Sequence, residues 1–278
     1  VAAGSISIWM RGSEAMHPVV ADFEERKFDA LGKTRPVFWK GSGPGVVIVH
    51  EVPGITREVA EFGRRVAARG FTAVLPSLFN EPGVRYTPCD MGRALRYACI
   101  QAEFSMLARR AASPITEWLR ALCRHVHERC GGPGVGAVGM CLTGNFALTL
   151  VADPWVMAPV LSQPSLPVGL TRSHRAALHV SDENLATLKR RVRDEGLTVL
   201  GLRFTHDFMC PGERFASLRR ELGAGFEGIE IDSGPGNPHR IPRIAHSVLT
   251  KDLIDREGHP TRAALDRTLA FFAERLAP

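Results

Sequence analysis

A chain of 278 residues that is 45% hydrophobic is long enough to bury one large α/β core without disulfide or metal staples. Its net charge of +6 comes from arginines interleaved with acidic residues, as in "REVAEFGRRVAARG"; this is a solvated surface, and no basic face or recognisable module points to nucleic acid. The six cysteines, at positions 89, 99, 123, 130, 141 and 210, lack paired spacings, which argues against a disulfide framework or zinc ribbon and favours a reducing, cytoplasmic setting.

In chain order, an apolar run at 46–50 reads as a buried strand, a helical period follows at 57–68, and a second strand lies at 72–75. The turn-rich loop "SLFNEPGVRYTPCDMG" then leads to a long helical pattern within 102–129. Strands at 135–138, 158–161, 198–204 and 228–231 alternate with helices at 144–151, 183–194 and 213–222. A second turn-rich loop, "DSGPGNPHRIPRIAHSVL", precedes the last helix at 262–276. The alternation predicts a mostly parallel, doubly wound sheet with helices on both faces. With no repeat or linker, 1–278 reads as a single domain, with 1–44 an N-terminal extension packed on it. No charged segment leads into an apolar one at the start, and Pro or Asp interrupts the longest apolar stretches, so neither export nor a membrane is expected.

The loops at the carboxyl ends of strands line the site in such sheets. Gly139-Met140-Cys141-Leu142-Thr143-Gly144 runs from a strand into a helix, the context of a nucleophile elbow, G-x-S-x-G, with cysteine replacing serine. Small residues are needed around the nucleophile because strand and helix backbones approach closely. Gly139 meets that need, whereas Thr143 departs from it and Gly144 offsets the departure. A thiolate gains from a helix N-terminus, which favours Cys141 as nucleophile over the small buried hydrophobe that most free cysteines are. The base and its orienting acid follow in chain order: Asp207, in the loop after the strand ending at Phe204, and His246, before the last helix. Asp232, His206 and His239 compete for these positions.

On "VVIVHEVPGI", "GMCLTG", "THDFMCPGERF" and "AHSV", the chain from about residue 46 onward resembles the dienelactone hydrolase family. The resemblance implies an α/β-hydrolase fold and a Cys141–Asp207–His246 triad. It also implies a Glu51 carboxylate that contacts the resting thiol, and an oxyanion hole made by the amides of Val52 and Leu142. The bland alternative for Glu51 is an ion pair with one of the many arginines. The implied reaction is hydrolysis of a small ester or lactone through a thioester, with no cofactor or metal, by a monomer or homodimer. In the family two arginines hold a substrate carboxylate; here one position is Thr250 and Arg85 is the substitute for the other, so neutral substrates are expected to be accepted. The rival reading is a catalytically silent small-molecule binding protein in which Thr143 has distorted the elbow.

"CRHVHERC" resembles a metal site, but seven helical residues separate Cys123 from Cys130, a rise of about 10 Å, against zinc–ligand distances of about 2 Å. Leu119, Leu122, Cys123, Val126 and Cys130 instead make an apolar stripe.

Overall fold

The computed structural model describes residues 17–97, 114–165 and 171–277. Its strands are β1 (Glu24–Ala30), β2 (Lys33–Gly41), β3 (Gly45–Val49), β4 (Thr72–Pro76), β5 (Val135–Met140), β6 (Val156–Ser162), β7 (Val199–Phe204) and β8 (Phe226–Ile231). They form one sheet in the order β1-β2-β4-β3-β5-β6-β7-β8. β2 is antiparallel to both neighbours, and every pairing from β4 to β8 is parallel. The helices are α1 (Arg57–Ala67), α2 (Pro88–Tyr97), α3 (Pro114–Cys130), α4 (Gly144–Leu150), α5 (Arg172–Ala176), α6 (Asp182–Glu195), α7 (Gly212–Leu222) and α8 (Pro260–Leu276).

The central strands read as unbroken apolar runs because helices cover both faces; all of Gly45–Val49 is buried. On one face Trp118, Leu119 and Leu122 of α3, Phe146 of α4 and Phe215 of α7 pack against the sheet. On the other, Val59, Phe62 and Val66 of α1 meet Leu265, Leu269 and Phe272 of α8. This is the expected doubly wound architecture. The sequence pattern places no strand before residue 46, yet β1 and β2 form a hairpin on the sheet edge, with Glu24 opposite Trp39 and Ala30 opposite Lys33. β1 escapes detection because it is an edge strand: "EERKFDA" has only exposed and half-buried positions, and such charges discourage pairing with other chains.

The predicted helix within 102–129 corresponds to α3 from Pro114 onward; its earlier part lies outside the described residues. Cys123 is buried in the α3 core face with Leu119, Leu122 and Val126. The His125 ring lies 5.1 Å from that of Phe28, and His127 lies 5.5 Å from Trp155. Among the described residues, no helix is long and apolar enough to cross a membrane.

His50, one residue beyond β3, is fully buried. Its Nε2 accepts the Leu78 N–H at 3.1 Å, so Nδ1 carries the proton and donates to the Glu51 carbonyl at 2.9 Å. Burial pushes its pKa down to about 4. The unfolded chain binds a proton near pH 6.5 that the fold refuses, so this group removes stability as pH falls. Its contribution should be a loss of about 2 kcal/mol between pH 7 and pH 5. Urea midpoints measured across that range should fall more steeply in the wild type than in His50→Gln. Parallel pH profiles would assign the acid sensitivity elsewhere.

Candidate active site

Register brings the candidate side chains to one end of the sheet. Val49 of β3 pairs with Gly139 of β5, which pairs with Leu161 of β6. Glu51, Cys141 and Gln163 therefore stand two residues beyond a shared row, above three adjacent strands. Asp207 follows β7, and His246 lies in the loop after β8.

The Cys141 backbone has φ 58°, a left-handed conformation unusual for a residue with a Cβ. The residue is buried in the turn between β5 and α4. A Cβ on Gly139 would lie 2.4 Å from the Thr143 carbonyl oxygen and 2.8 Å from the Gly144 Cα; one on Gly144 would lie 2.8 Å from Pro164. Both glycines are thus required by close backbone approach. Thr143 does not distort the turn: it is helical at φ −75°, and its buried side chain ties the turn together. Thr143 Oγ1 accepts the Met140 N–H at 2.9 Å, and the Met140 and Val49 carbonyls lie within reach of its proton at 2.8 and 2.9 Å.

His246 Nδ1 hydrogen-bonds Asp207 Oδ2 at 2.6 Å. Asp207 is buried, and its other oxygen accepts the Met209 N–H at 3.0 Å. Burial works against a charged imidazole, but the adjoining Cys141 sulfur and the Asp207 carboxylate outweigh it and hold His246 well above its ordinary pKa. The loop is anchored by Asp252, whose Oδ2 accepts the N–H groups of His246 and Ser247 at 2.8 and 2.9 Å. The competing residues are occupied differently. Asp232 Oδ1 accepts the Gly234 N–H at 2.8 Å, the His206 ring lies beside Thr205, and His239 packs 5.2 Å from the His259 ring.

Glu51 departs from expectation. It is almost fully buried and forms no ion pair among the described residues. Oε1 accepts from Tyr86 at 2.7 Å and from Thr250; Oε2 accepts from Ser247 at 2.7 Å and from Gln163 Nε2 at 3.3 Å. Four donors fill the four lone-pair positions of a carboxylate, so in this arrangement none is left for the Cys141 thiol. Burial, with Glu51 beside it, raises the Tyr86 phenol far above its usual pKa and keeps it a neutral donor. Thr250 is thus spent on Glu51. Arg85 is exposed, and it lines a surface cavity of about 430 Å³ with Phe79, Val84, Asp90 and Arg93. Val52 and Leu142 follow Glu51 and Cys141 directly at the ends of β3 and β5.

Sequence reasoning missed Tyr86, Gln163, Ser165, Ser247 and Asp252. Gln163 has φ 36°; it accepts the Val248 N–H at 3.2 Å while donating to Glu51, which couples the end of β6 to the histidine loop. The available signal was the polar tetrapeptide "SQPS" directly after an apolar strand.

A central parallel sheet with an antiparallel second strand, and a sharp turn carrying Cys141 between β5 and α4, define the α/β-hydrolase class. The model of the dienelactone hydrolase family matches residues 33–274, and the chain belongs to that family. A Saccharomyces cerevisiae protein provisionally named carboxymethylenebutenolidase is 26% identical over 193 residues, covering 68% of this chain and 67% of that protein. A solved dienelactone hydrolase from Anabaena variabilis superposes with a TM-score of 0.55 at 15% identity, over 92% of this chain and 99% of that one. A Klebsiella pneumoniae structure provisionally named dienelactone hydrolase gives 0.59 at 18% identity, over 91% of this chain and 98% of that one.

Proposed function

We propose that this hydrolase cleaves small neutral esters or lactones with Cys141 as nucleophile, through a thioester. The observation that carries the reading is the conjunction of a left-handed Cys141 at the head of α4 with a His246 that is hydrogen-bonded to buried Asp207.

The Cys141 thiolate attacks the substrate carbonyl while His246 holds the proton. The amides of Val52 and Leu142 receive the developing oxyanion, a contribution of about 3 kcal/mol per donor in other enzymes. As the tetrahedral intermediate collapses, His246 gives its Nε2 proton to the leaving oxygen, the C–O bond breaks and a thioester remains. Water, deprotonated by His246, then attacks the thioester, and the sulfur leaves as thiolate with the proton back on the imidazole. Asp207 fixes the tautomer in which Nδ1 carries a proton and Nε2 is the working nitrogen. Glu51 holds the cleft together by joining Tyr86, Gln163, Ser247 and Thr250. Neither the acid nor the base role calls for a metal or cofactor.

One feature supports a neutral substrate: Thr250 offers no charge and is bonded to Glu51. A hydrogen bond to a charged group contributes about 1.5–3 kcal/mol, so one missing arginine contact lowers preference for an acidic lactone about tenfold or more. A panel of small esters and lactones should leave an acyl adduct on Cys141 detectable by intact mass. The kcat/KM for a carboxylate-bearing lactone should not exceed that for its methyl ester. A strong preference for the acid that survives Arg85→Ala would overturn the neutral-substrate reading.

A further inference from the structure

Behind the elbow helix lies a guanidinium that meets no anion among the described residues. Arg214, the third residue of α7, is fully buried. Its Nη2 donates to Asn145 Oδ1 and to the Leu178 carbonyl at 3.2 Å, while Nε and Nη1 have no hydrogen-bond partner among the described residues. Burial lowers its pKa only to about 10, so it is charged at neutral pH. Even a buried ion pair can often be replaced by apolar side chains of similar volume without loss of stability, and this guanidinium lacks the attraction of a counter-charge. The presence of arginine here therefore calls for a reason other than packing.

That reason lies one hydrogen bond further on. Asn145, in the first turn of α4, has one acceptor and two donor hydrogens on its side chain. With Oδ1 turned to the guanidinium, the NH2 group must face the other way, and it donates to the Leu142 carbonyl at 2.9 Å and the Ser165 carbonyl at 3.0 Å. Arg214, which can only donate, thus decides which way the amide points. Leu142 is the residue after Cys141. Ser165 donates its N–H to the Cys141 carbonyl at 2.9 Å, and its hydroxyl lies 3.2 Å from the Gln163 carbonyl, to which it donates, and 3.3 Å from His246 Nε2. With its one proton spent on Gln163, the Ser165 oxygen is left to accept from the imidazole.

We infer that Arg214 is a positioning residue: through the Asn145 amide it holds the Cys141–Leu142 turn and the Ser165 hydroxyl in place around the His246 Nε2 nitrogen. The inference rests on the reading of Cys141 and His246 as the reacting pair. It separates stability from turnover, because removing the charge relieves an uncompensated burial while freeing the amide to rotate.

The test uses the full chain, with p-nitrophenyl acetate as acyl donor, and reads the acylation burst, its dependence on substrate concentration and the melting temperature. Arg214→Met should melt at or above the wild-type temperature, yet acylate about 10- to 100-fold more slowly, the scale of a small misplacement at a reacting centre. The substrate Kd, read from the dependence of the burst rate on substrate concentration, should stay within about twofold, since a residue remote from substrate acts on the rate rather than on binding. Arg214→Lys, whose ammonium still donates to Oδ1, should recover part of the rate. A wild-type burst rate in Arg214→Met, or a lowered melting temperature with the rate per folded molecule unchanged, would overturn the inference. If Arg214→Met is not recovered folded, Asn145→Asp decides. It gives the guanidinium a counter-charge but takes away the donors to Leu142 and Ser165, and an unchanged burst in that variant overturns the inference equally. Absence of a burst in the wild type would instead strike at the nucleophile reading beneath it, and the inference would fall with it.

Discussion

Replacing Cys141 by alanine should abolish the acyl adduct and lower kcat/KM for a small ester by about 10³-fold or more, because removing the proposed nucleophile leaves only binding and the proposed oxyanion donors. The fold should be retained. Alanine and cysteine both carry a Cβ, so the strain of the left-handed position at φ 58° is common to both and the native contacts of the turn are unchanged. Cys141→Ser is the informative companion. It keeps the shape of the site but presents a hydroxyl, which the neighbouring imidazole deprotonates far less readily than a thiol, so most activity should be lost there too. Intact mass after brief exposure to substrate, beside steady-state rates, makes the comparison. Undiminished turnover by the alanine variant would place the nucleophile elsewhere.

The second large effect is expected for Asp207→Asn, a loss of about 10³-fold in kcat/KM. Asp207 Oδ2 lies 2.6 Å from His246 Nδ1 and Oδ1 accepts the Met209 N–H. An asparagine that keeps the Met209 bond through its oxygen must turn its NH2 group to Nδ1. The imidazole then takes the opposite tautomer, with Nε2 already protonated and unable to receive the thiol proton. The variant should also change the dependence of stability on pH. In the wild type the raised His246 pKa contributes stability that is fully present below the unfolded value of about 6.5 and is lost as pH rises through the folded value. Removing the carboxylate lowers the folded value and shrinks that contribution. Melting temperatures of the two proteins should therefore differ most at low pH and converge on the alkaline side. A variant of near-normal activity would mean that another acid, such as Asp232, orients the histidine.

The same pair of loops shows why this protein is only partly legible in its sequence. The parallel strands from β3 onward are apolar runs because they are buried on both faces, and the helices between them carry their burial as a 3.6-residue period, so both signals are local. Cys141 is legible for the same reason: a glycine-bordered turn between a strand and a helix is a property of a few consecutive residues. β1 gave no such signal because it is a half-exposed edge strand, and β2 buries only Val37, Phe38 and Trp39 and pairs with a strand, β4, more than thirty residues away. Arg85 and Thr250 were matched by position alone, and only the folded arrangement shows one exposed at a surface cavity and the other bonded to Glu51.

The sequence by itself determined the alternation of strands and helices, the doubly wound class, and the placing of Cys141 and Asp207 just beyond strands and of His246 in the loop before the last helix, because each follows from burial and turn chemistry within a short window. Tertiary structure alone decided the partners of those residues. Glu51 meets donors up to 199 positions away, and Arg214 meets Asn145 across 69. Such pairings depend on strand register and on which loops share the carboxyl edge of the sheet, and a hydrogen bond between distant polar residues leaves no periodic trace in the chain that forms it.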